Sequence, residues 1–502
     1  MAVTLSFLLL AALIFLYLHD RRQKTHTILR NYPLMGHFRY IFERLGVYFR
    51  QYLYANDREE RPFDRLTRSW VYRAAKGLSD TIAFGTAQDL QVPGTVIFVN
   101  ALYPTLEEER SEAPPLSIGT PPGPTYFAKR LVNISGMSFG ALSGRAIEAL
   151  SLGARQSGSW LNTGEGGLSP YHLAGGCDLI FQIGTAKYGA RDEKGRLCDK
   201  RLRELSTCAK AFEIKLAQGA KPGKGGILPG NKVTPEVARI RGIPPWLDSL
   251  SPNRHPEIKT HEDLLQMVGR VREVTEKPVG VKLVLSKKED IEGLCDAILK
   301  KGAAFAPDFI TLDGGDGGSG AAPESLADHV GMPLAESLPW LVDALAQAGL
   351  NDRVRVIASG KLLTAQAAAW ALCVGADFVN TARGFLFALG CVQSLRCHTG
   401  TCPTGITTHD PRRTQGLVVE DKAMRVAHYA LAMNRELDVI AHACGLANAR
   451  GFSREHARLV LAPGKSALLS EIYPPPELAA KGTRKRVYTR KDKRKEEEAS
   501  ET

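Results

Sequence analysis

Three cysteines, Cys391, Cys397 and Cys402, fall inside the string GCVQSLRCHTGTCPTG at the spacing C-x5-C-x4-C, out of nine in the whole chain. Such crowding points to a shared ligand or to redox chemistry. A zinc site usually takes a fourth ligand and often a CxxC knuckle, and His398 is the nearby candidate. A disulfide leaves one thiol over. Three thiolates without a fourth suit a three-iron cluster or a site-differentiated four-iron one. Cys177, Cys198, Cys208, Cys295, Cys373 and Cys444 are scattered and read as small buried hydrophobes.

Five short segments surround this run with glycine. They are Ser135-Gly136-Met137-Ser138-Phe139-Gly140, Thr163-Gly164-Glu165-Gly166-Gly167, Asp313-Gly314-Gly315-Asp316-Gly317-Gly318-Ser319-Gly320, Ser359-Gly360-Lys361 and Ala382-Arg383-Gly384. The first brings backbone close to something flat, and the second offers one carboxylate among glycines. The last two have the character of a phosphate cradle, with backbone N–H groups at the start of a helix. A glycine-rich turn alone is usually just a turn. Five in order, each after an apolar run, imply a bound phosphate-bearing cofactor. No Walker A string is present, and no GxGxxG opens an early βαβ unit.

These loops need a scaffold that presents them on one face. Apolar runs expected as strands are 131–135, 160–163, 179–184, 279–284, 309–312, 354–358 and 378–380. Helical patterns cover 143–156, 202–217, 288–300, 338–348, 364–373 and 422–443. Continuous apolar strands ending in glycine-rich turns and alternating with helices are the parallel α/β pattern. About eight strand slots, with chemistry-bearing residues just after the strands, favour a (β/α)8 TIM barrel over an open sheet.

The formal charge of +12 resembles a nucleic-acid signal until it is located. Residues 20–73 hold 12 Lys/Arg against 6 Asp/Glu, residues 481–502 hold 9 against 5, and the rest is nearly balanced. No nucleic-acid partner is expected from that distribution. Residues 2–18, AVTLSFLLLAALIFLYL, are uncharged and are followed by Arg21, Arg22 and Lys24. As a helix they span roughly 25 Å, enough for a thin bilayer core. No charge precedes the run and no small-x-small site ends it, so a retained single-pass anchor is expected rather than a cleaved signal. The basic flank on the C-terminal side then places the body in the cytoplasm. The resulting layout is a transmembrane anchor at 1–19 and a basic, aromatic juxtamembrane segment and connector at 20–114, Pro-rich from 91 to 124. A barrel at 115–450, a C-terminal extension at 451–480 and a disordered charged tail at 481–502 complete it. The aromatics of 25–75 either lie on the membrane surface or cap the main domain.

The strings SGMSFGALSG (135–144), NTGEGG (162–167), GGCDLIFQIGTAKYG (175–189), EIKLAQGAKPGKGG (213–226), VKLV (281–284), DGGDGGSGAAP (313–323) and IASGKL (357–362), with the cysteine run, resemble the FMN-binding synthase domain of glutamate synthase. The resemblance covers roughly residues 115–450. It implies a barrel holding FMN beside a [3Fe-4S] cluster, where 2-iminoglutarate, formed from 2-oxoglutarate and ammonia, is reduced to L-glutamate. Cysteines 391, 397 and 402 are then the cluster ligands. Ser135 to Ser138, Gln182, Lys282, Asp313, Gly314, Gly315, Gly317, Gly318, Ser359, Gly360, Lys361, Ala382 and Arg383 are the FMN contacts. Lys282 resembles the barrel lysine that stabilises the reduced flavin, Lys215, Lys221 and Arg241 the cations that hold a dicarboxylate, and Glu165 the acid–base group of the substrate site.

The departures from the family pattern matter equally. No cysteine-nucleophile amidotransferase precedes the expected barrel, so ammonia is expected directly or from a separate glutaminase. Ile227 stands where the large enzymes carry a substrate-contacting glutamine, which loosens the expected selection for a dicarboxylate. A different 2-oxo acid acceptor, or a non-catalytic electron-transfer role, are the alternatives. The electron donor is not identified by the sequence.

Overall fold

The computed structural model describes residues 2–78 and 81–476, so the charged tail expected at 481–502 lies outside the described residues. The chain divides into two compact units, Met1–Ser69 and Trp70–Thr502. In the first, α1 (Ala2–Arg22) is followed by α2 (Thr27–Asn31) and α3 (Gly36–Phe49), which runs on into a π-helical turn, Arg50–Tyr54. Among the described residues one helix, Val3–Arg22, is long and apolar enough to cross a membrane, in keeping with a single pass. Its side chains are almost all exposed, as an apolar surface without a protein partner must be.

The second unit is built on a closed barrel of eight parallel strands. In chain order these are β1 (Val132–Ile134), β2 (Leu161–Asn162), β3 (Leu179–Ile183), β4 (Ala209–Lys215), β5 (Val279–Leu283), β6 (Phe309–Asp313), β7 (Arg355–Ser359) and β8 (Phe378–Thr381). Each pairs with its neighbours in sequence, and β8 closes on β1. Seven of the strands stand where the apolar runs predict them. The exception is β4, because residues 202–217 are not one helix. A helix stops at Ser206 and AKAFEIK continues as a strand with Ala211, Phe212 and Ile214 buried. Alanine, lysine and glutamate favour helix, but the gap between its neighbours in the barrel overrides that preference.

The Pro-rich stretch 91–124, expected as part of a connector, carries regular structure of its own. Leu116–Ile118 and Tyr126–Ala128 form an antiparallel hairpin whose Ile118, Tyr126 and Ala128 join Trp160, Ile180, Phe309, Ile357 and Phe378 in one apolar cluster. Val96–Phe98 pairs with Ala457–Ala462, which pairs in turn with Lys465–Leu468. The long helix Val419–Ala443 lies against Gly144–Ser157, and a Cβ on Gly153 would collide with Val426. Parallel register then brings the chemistry-bearing residues to one level. Gln182 is paired with Glu213, Lys215 with Lys282, and Asp313 with Ser359. All are at or near the C-terminal ends of their strands, the end where barrels of this class carry their sites.

Candidate active site

The carboxylate of Glu165, in the loop after β2, accepts an ion pair from Lys215 Nζ at 3.0 Å. Both side chains are largely buried. Lys215 also donates to Gln218 Oε1 at 3.0 Å. The pocket for this carboxylate exists because Gly184 and Gly226 have no side chains: a Cβ on Gly184 would lie 2.6 Å from Glu165 Cβ, and one on Gly226 would overlap its Oε1. Lys221 and Arg241 complete the cluster, both buried. Arg241 ends the helix Pro235–Arg241 and donates to Ser249 Oγ at 3.2 Å and Phe139 O at 3.3 Å, with its guanidinium 5.1 Å above the Tyr188 ring. Its buried Nε has no hydrogen-bond partner among the described residues.

Three cations around one carboxylate set the protonation states. Burial pushes Glu165 up, but Lys215, Lys221 and Arg241 outweigh it and hold the group at about 2. Burial, with Lys215 beside it, brings Lys221 down to about 8 against the pull of Glu165. The cluster is therefore net positive at neutral pH and carries an ionised glutamate. His255, from the loop 251–258, donates through Nε2 to Lys215 O, 3.0 Å away, and burial, with Lys187 nearby, lowers it to about 4.

A second network lies beside the first. Glu213, 1% exposed inside the barrel, accepts from Asn162 Nδ2 at 2.9 Å, Gln182 Nε2 at 2.6 Å and Thr311 Oγ1 at 2.6 Å. Lys282 Nζ lies 3.3 Å from Asp313 Oδ2. Burial works against the ammonium, but Asp313 and Glu213 raise its pKa and keep it charged. Asp313 also accepts from Gly219 N at 3.1 Å and Ser359 Oγ at 3.0 Å. Three strands, β5, β6 and β7, thus share one buried ion pair.

At the glycines expected to approach a cofactor, the space a Cβ would need is taken up by the protein's own atoms. A Cβ on Gly136 would stand 2.9 Å from both Asn162 Oδ1 and Gln182 Nε2, and one on Gly164 would stand 2.6 Å from Ser138 N. Gly360 and Lys361 both take positive φ, +141° and +50°. Arg383 crosses the glycine loop, donating to Asp316 O at 3.3 Å, and a Cβ on Gly318 would lie 2.8 Å from its Nε. The amides of Gly314, Gly315 and Gly317 are spent on Ser359 O, Met332 O and Gly314 O, so they shape the loop. Flat backbone at Gly136 and Gly164, the buried Lys282 ammonium and the Gln182 amide together fit an isoalloxazine ring. Arg383 and the Ser359–Lys361 turn fit a phosphate.

The cysteine run is assembled only in part. Cys397 and Cys402 are close enough to influence each other, and Cys402 meets Thr404 Oγ1 at 3.3 Å. Burial raises both thiols, and the threonine hydrogen bonds bring Cys402 below its ordinary value. Cys391 Sγ accepts from Gln393 N at 3.4 Å, and Tyr72 Oη donates to its carbonyl at 2.6 Å. Among the described residues no group of three His, Cys, Asp or Glu side chains is placed to hold a metal ion, and His398 is exposed. Of the scattered thiols, Cys177, Cys295, Cys373 and Cys444 are buried as expected, whereas Cys198 is half-buried and Cys208 is exposed.

Sequence reasoning missed Glu213, His255 and Lys232. Glu213 sits in the motif EIKLAQGAKPGKGG, but its partners come from three other strands. Lys232, 3% exposed, donates to Ala141 O at 2.6 Å and Cys397 O at 3.1 Å, tying the loop after β1 to the cysteine run. No local pattern announces either.

The profile of the conserved region in glutamate synthase matches residues 95–447. The chain is 40% identical over 482 residues to the glutamate synthase large subunit-like protein YerD of Bacillus subtilis (strain 168), covering 88% of this chain and 91% of that one. It is 33% identical over 343 residues to an archaeal-type NADPH glutamate synthase of Thermotoga sp. (strain RQ2), covering 68% of this chain but 64% of that relative's length. Among solved structures, the recombinant flavin-binding domain of baker's yeast flavocytochrome b2 superposes with a TM-score of 0.44 at 15% identity, over 89% of this chain and 93% of that one. The chain belongs to the glutamate synthase family.

Proposed function

We propose that the protein is an FMN-dependent oxidoreductase that reduces 2-iminoglutarate, formed from 2-oxoglutarate and ammonia, to L-glutamate. The observation that carries this reading is the cluster of Lys215, Lys221 and Arg241 around Glu165, adjacent in register to Lys282. Two carboxylates of a five-carbon imine need more than one cation, and charge-assisted contacts supply orientation as well as affinity. FMN held there would supply the hydride equivalent for imine reduction. Lys282, kept charged by Asp313 and Glu213, would place positive charge beside the ring. Gln182 and the backbone at Gly136 and Gly164 would hold the ring, and Arg383 with Ser359–Lys361 the phosphate. Glu165 stays ionised and, held at about 2, is a weak base, so its part is to position Lys215.

The spacing of Cys391, Cys397 and Cys402 supports a [3Fe-4S] cluster, for which Cys391 must join the Cys397–Cys402 pair. A separate electron donor would feed the flavin, and ammonia would come from solution or from a separate glutaminase. The basic residues after α1 support a cytoplasmic body on a membrane anchor. A second reading, the same machinery acting on another 2-oxo acid, is favoured by Ile227. It directly follows Gly226, where a Cβ would overlap Glu165 Oε1, so an apolar residue adjoins the charged cluster in the chain.

The test is anaerobic reoxidation of the chemically reduced protein by a panel of 2-oxo acids with ammonium. Reoxidation by 2-oxoglutarate ahead of pyruvate or oxaloacetate supports the first reading. Preference for a monocarboxylic acid supports the second.

A further inference from the structure

We infer that α3 is an interfacial helix that lies in the headgroup region of the bilayer entered by α1, with its apolar stripe against phospholipid. The stripe is Phe38, Ile41, Phe42, Leu45, Tyr48 and Phe49, at positions i, i+3, i+4, i+7, i+10 and i+11, the spacing of one helical face. All six side chains are exposed, Phe38 at 55% and Phe42 at 62%. Water is a poor neighbour for a stripe of four aromatics and two aliphatics, and isolated exposed apolar residues do not fall at this spacing by default.

The occupant is identified by continuity and by charge. The first half of the unit fastens the start of α3 to the polar end of α1. Asp20, fully buried, accepts from Leu34 N at 3.0 Å and faces His37 Nε2 at 2.9 Å. Gly36 packs on Leu29 of α2 so closely that a Cβ would lie 3.0 Å from Leu29 Cδ2. The apolar run of α1 ends at Leu18, and Arg21, Arg22 and Lys24 follow at headgroup level. Leu34 and His37, held to Asp20, therefore begin α3 at that same depth. Arg39 and Arg44 are exposed on opposite flanks of the stripe and Arg50 follows it, where they meet lipid phosphates while the aromatics enter the acyl boundary. The helix has too many arginines to span the bilayer and too continuous an apolar face to stand in water. A second copy of the chain would satisfy the aromatics but would bring like-charged arginine flanks together.

The experiment uses the full chain reconstituted in vesicles of phosphatidylcholine and phosphatidylserine with brominated acyl chains. Phe42→Trp adds a fluorophore on the stripe, and Val47→Trp adds one on the opposite face. The emission added at position 42 should fall at least about twofold in brominated vesicles, since an interfacial helix buries its apolar face about 5–10 Å deep. The emission added at position 47 should not. Unmodified protein in the same lipids without bromine, treated with a membrane-soluble photoactivated carbene, should be labelled at Phe38, Phe42, Leu45 and Phe49 as well as within α1, a result that does not depend on either variant folding. Carbene label confined to α1, or tryptophans at 42 and 47 quenched alike, would overturn the proposal. So would two unquenched tryptophans, whether or not the protein forms a concentration-dependent dimer.

Discussion

Replacing Glu165 by Gln keeps the shape of the side chain and removes its charge, and two opposite effects follow from the same geometry. The folded protein holds this group at about 2 against an ordinary 4.5, so its contribution to stability is present above 4.5 and is lost as pH falls through 2. That difference corresponds to about 3 kcal/mol at neutral pH. The variant should therefore unfold at a lower temperature than the wild type at pH 7, and the gap should close in acid. Ligand binding should move the other way. A dicarboxylate entering the cluster competes with Glu165 for Lys215, whose Nζ is 3.0 Å from the carboxylate. A charge-assisted hydrogen bond that no longer has to be broken is worth about 1.5–3 kcal/mol, or roughly 10–100-fold in affinity. Calorimetric titration of the full chain in lipid discs should show Glu165→Gln binding 2-oxoglutarate more tightly than the wild type, with a smaller gain for pyruvate. Weaker binding by the variant would refute the reasoning, since it would make Glu165 a partner of the substrate instead of its competitor.

Lys221 loses its proton near 8, so 2-oxoglutarate affinity should decline as pH rises through that value, and Lys221→Arg should flatten the profile. The accompanying stability change has the opposite sign: the cost of burying a charged Lys221 is full below 8 and is relieved as pH rises towards 10.5, readable in the pH dependence of thermal unfolding. Protein purified without oxygen should carry about three irons per chain, and Cys397→Ser should lose iron while retaining flavin; zinc in place of iron by elemental analysis would contradict this. Ile227→Gln should raise the preference for 2-oxoglutarate over pyruvate about 10-fold or more in kcat/KM, because a buried amide left without its partner penalises the wrong substrate.

Much of the barrel was legible because its strands are continuous apolar runs closed by glycine turns, and such runs have few other uses. Strand β4 was hidden because AKAFEIK follows a helix without a glycine or proline between them, and only the empty place between β3 and β5 selects the extended form. Within the site, Glu165, Lys215 and Lys221 were marked by glycine-rich strings whose small residues now prove to make room for the carboxylate. Glu213 could not be read in the same way. Its role depends on the pairing of Gln182 with Glu213 and on Asn162 and Thr311 pointing to the same interior point, which is a property of barrel register. Lys232 is legible only in three dimensions, since its two acceptors lie at residues 141 and 397. The cysteine spacing predicted one three-thiol group, and the fold brings two of the three together.

The central claim is that this barrel converts 2-oxoglutarate and ammonium to L-glutamate at the expense of a reduced flavin. Purified full-length protein, reduced chemically in an anaerobic chamber and mixed with 2-oxoglutarate and isotope-labelled ammonium, tests it in a single turnover. Labelled L-glutamate should appear in step with flavin reoxidation, at about one per flavin as hydride stoichiometry demands. Flavin that stays reduced, or that reoxidises without labelled glutamate, would contradict the account.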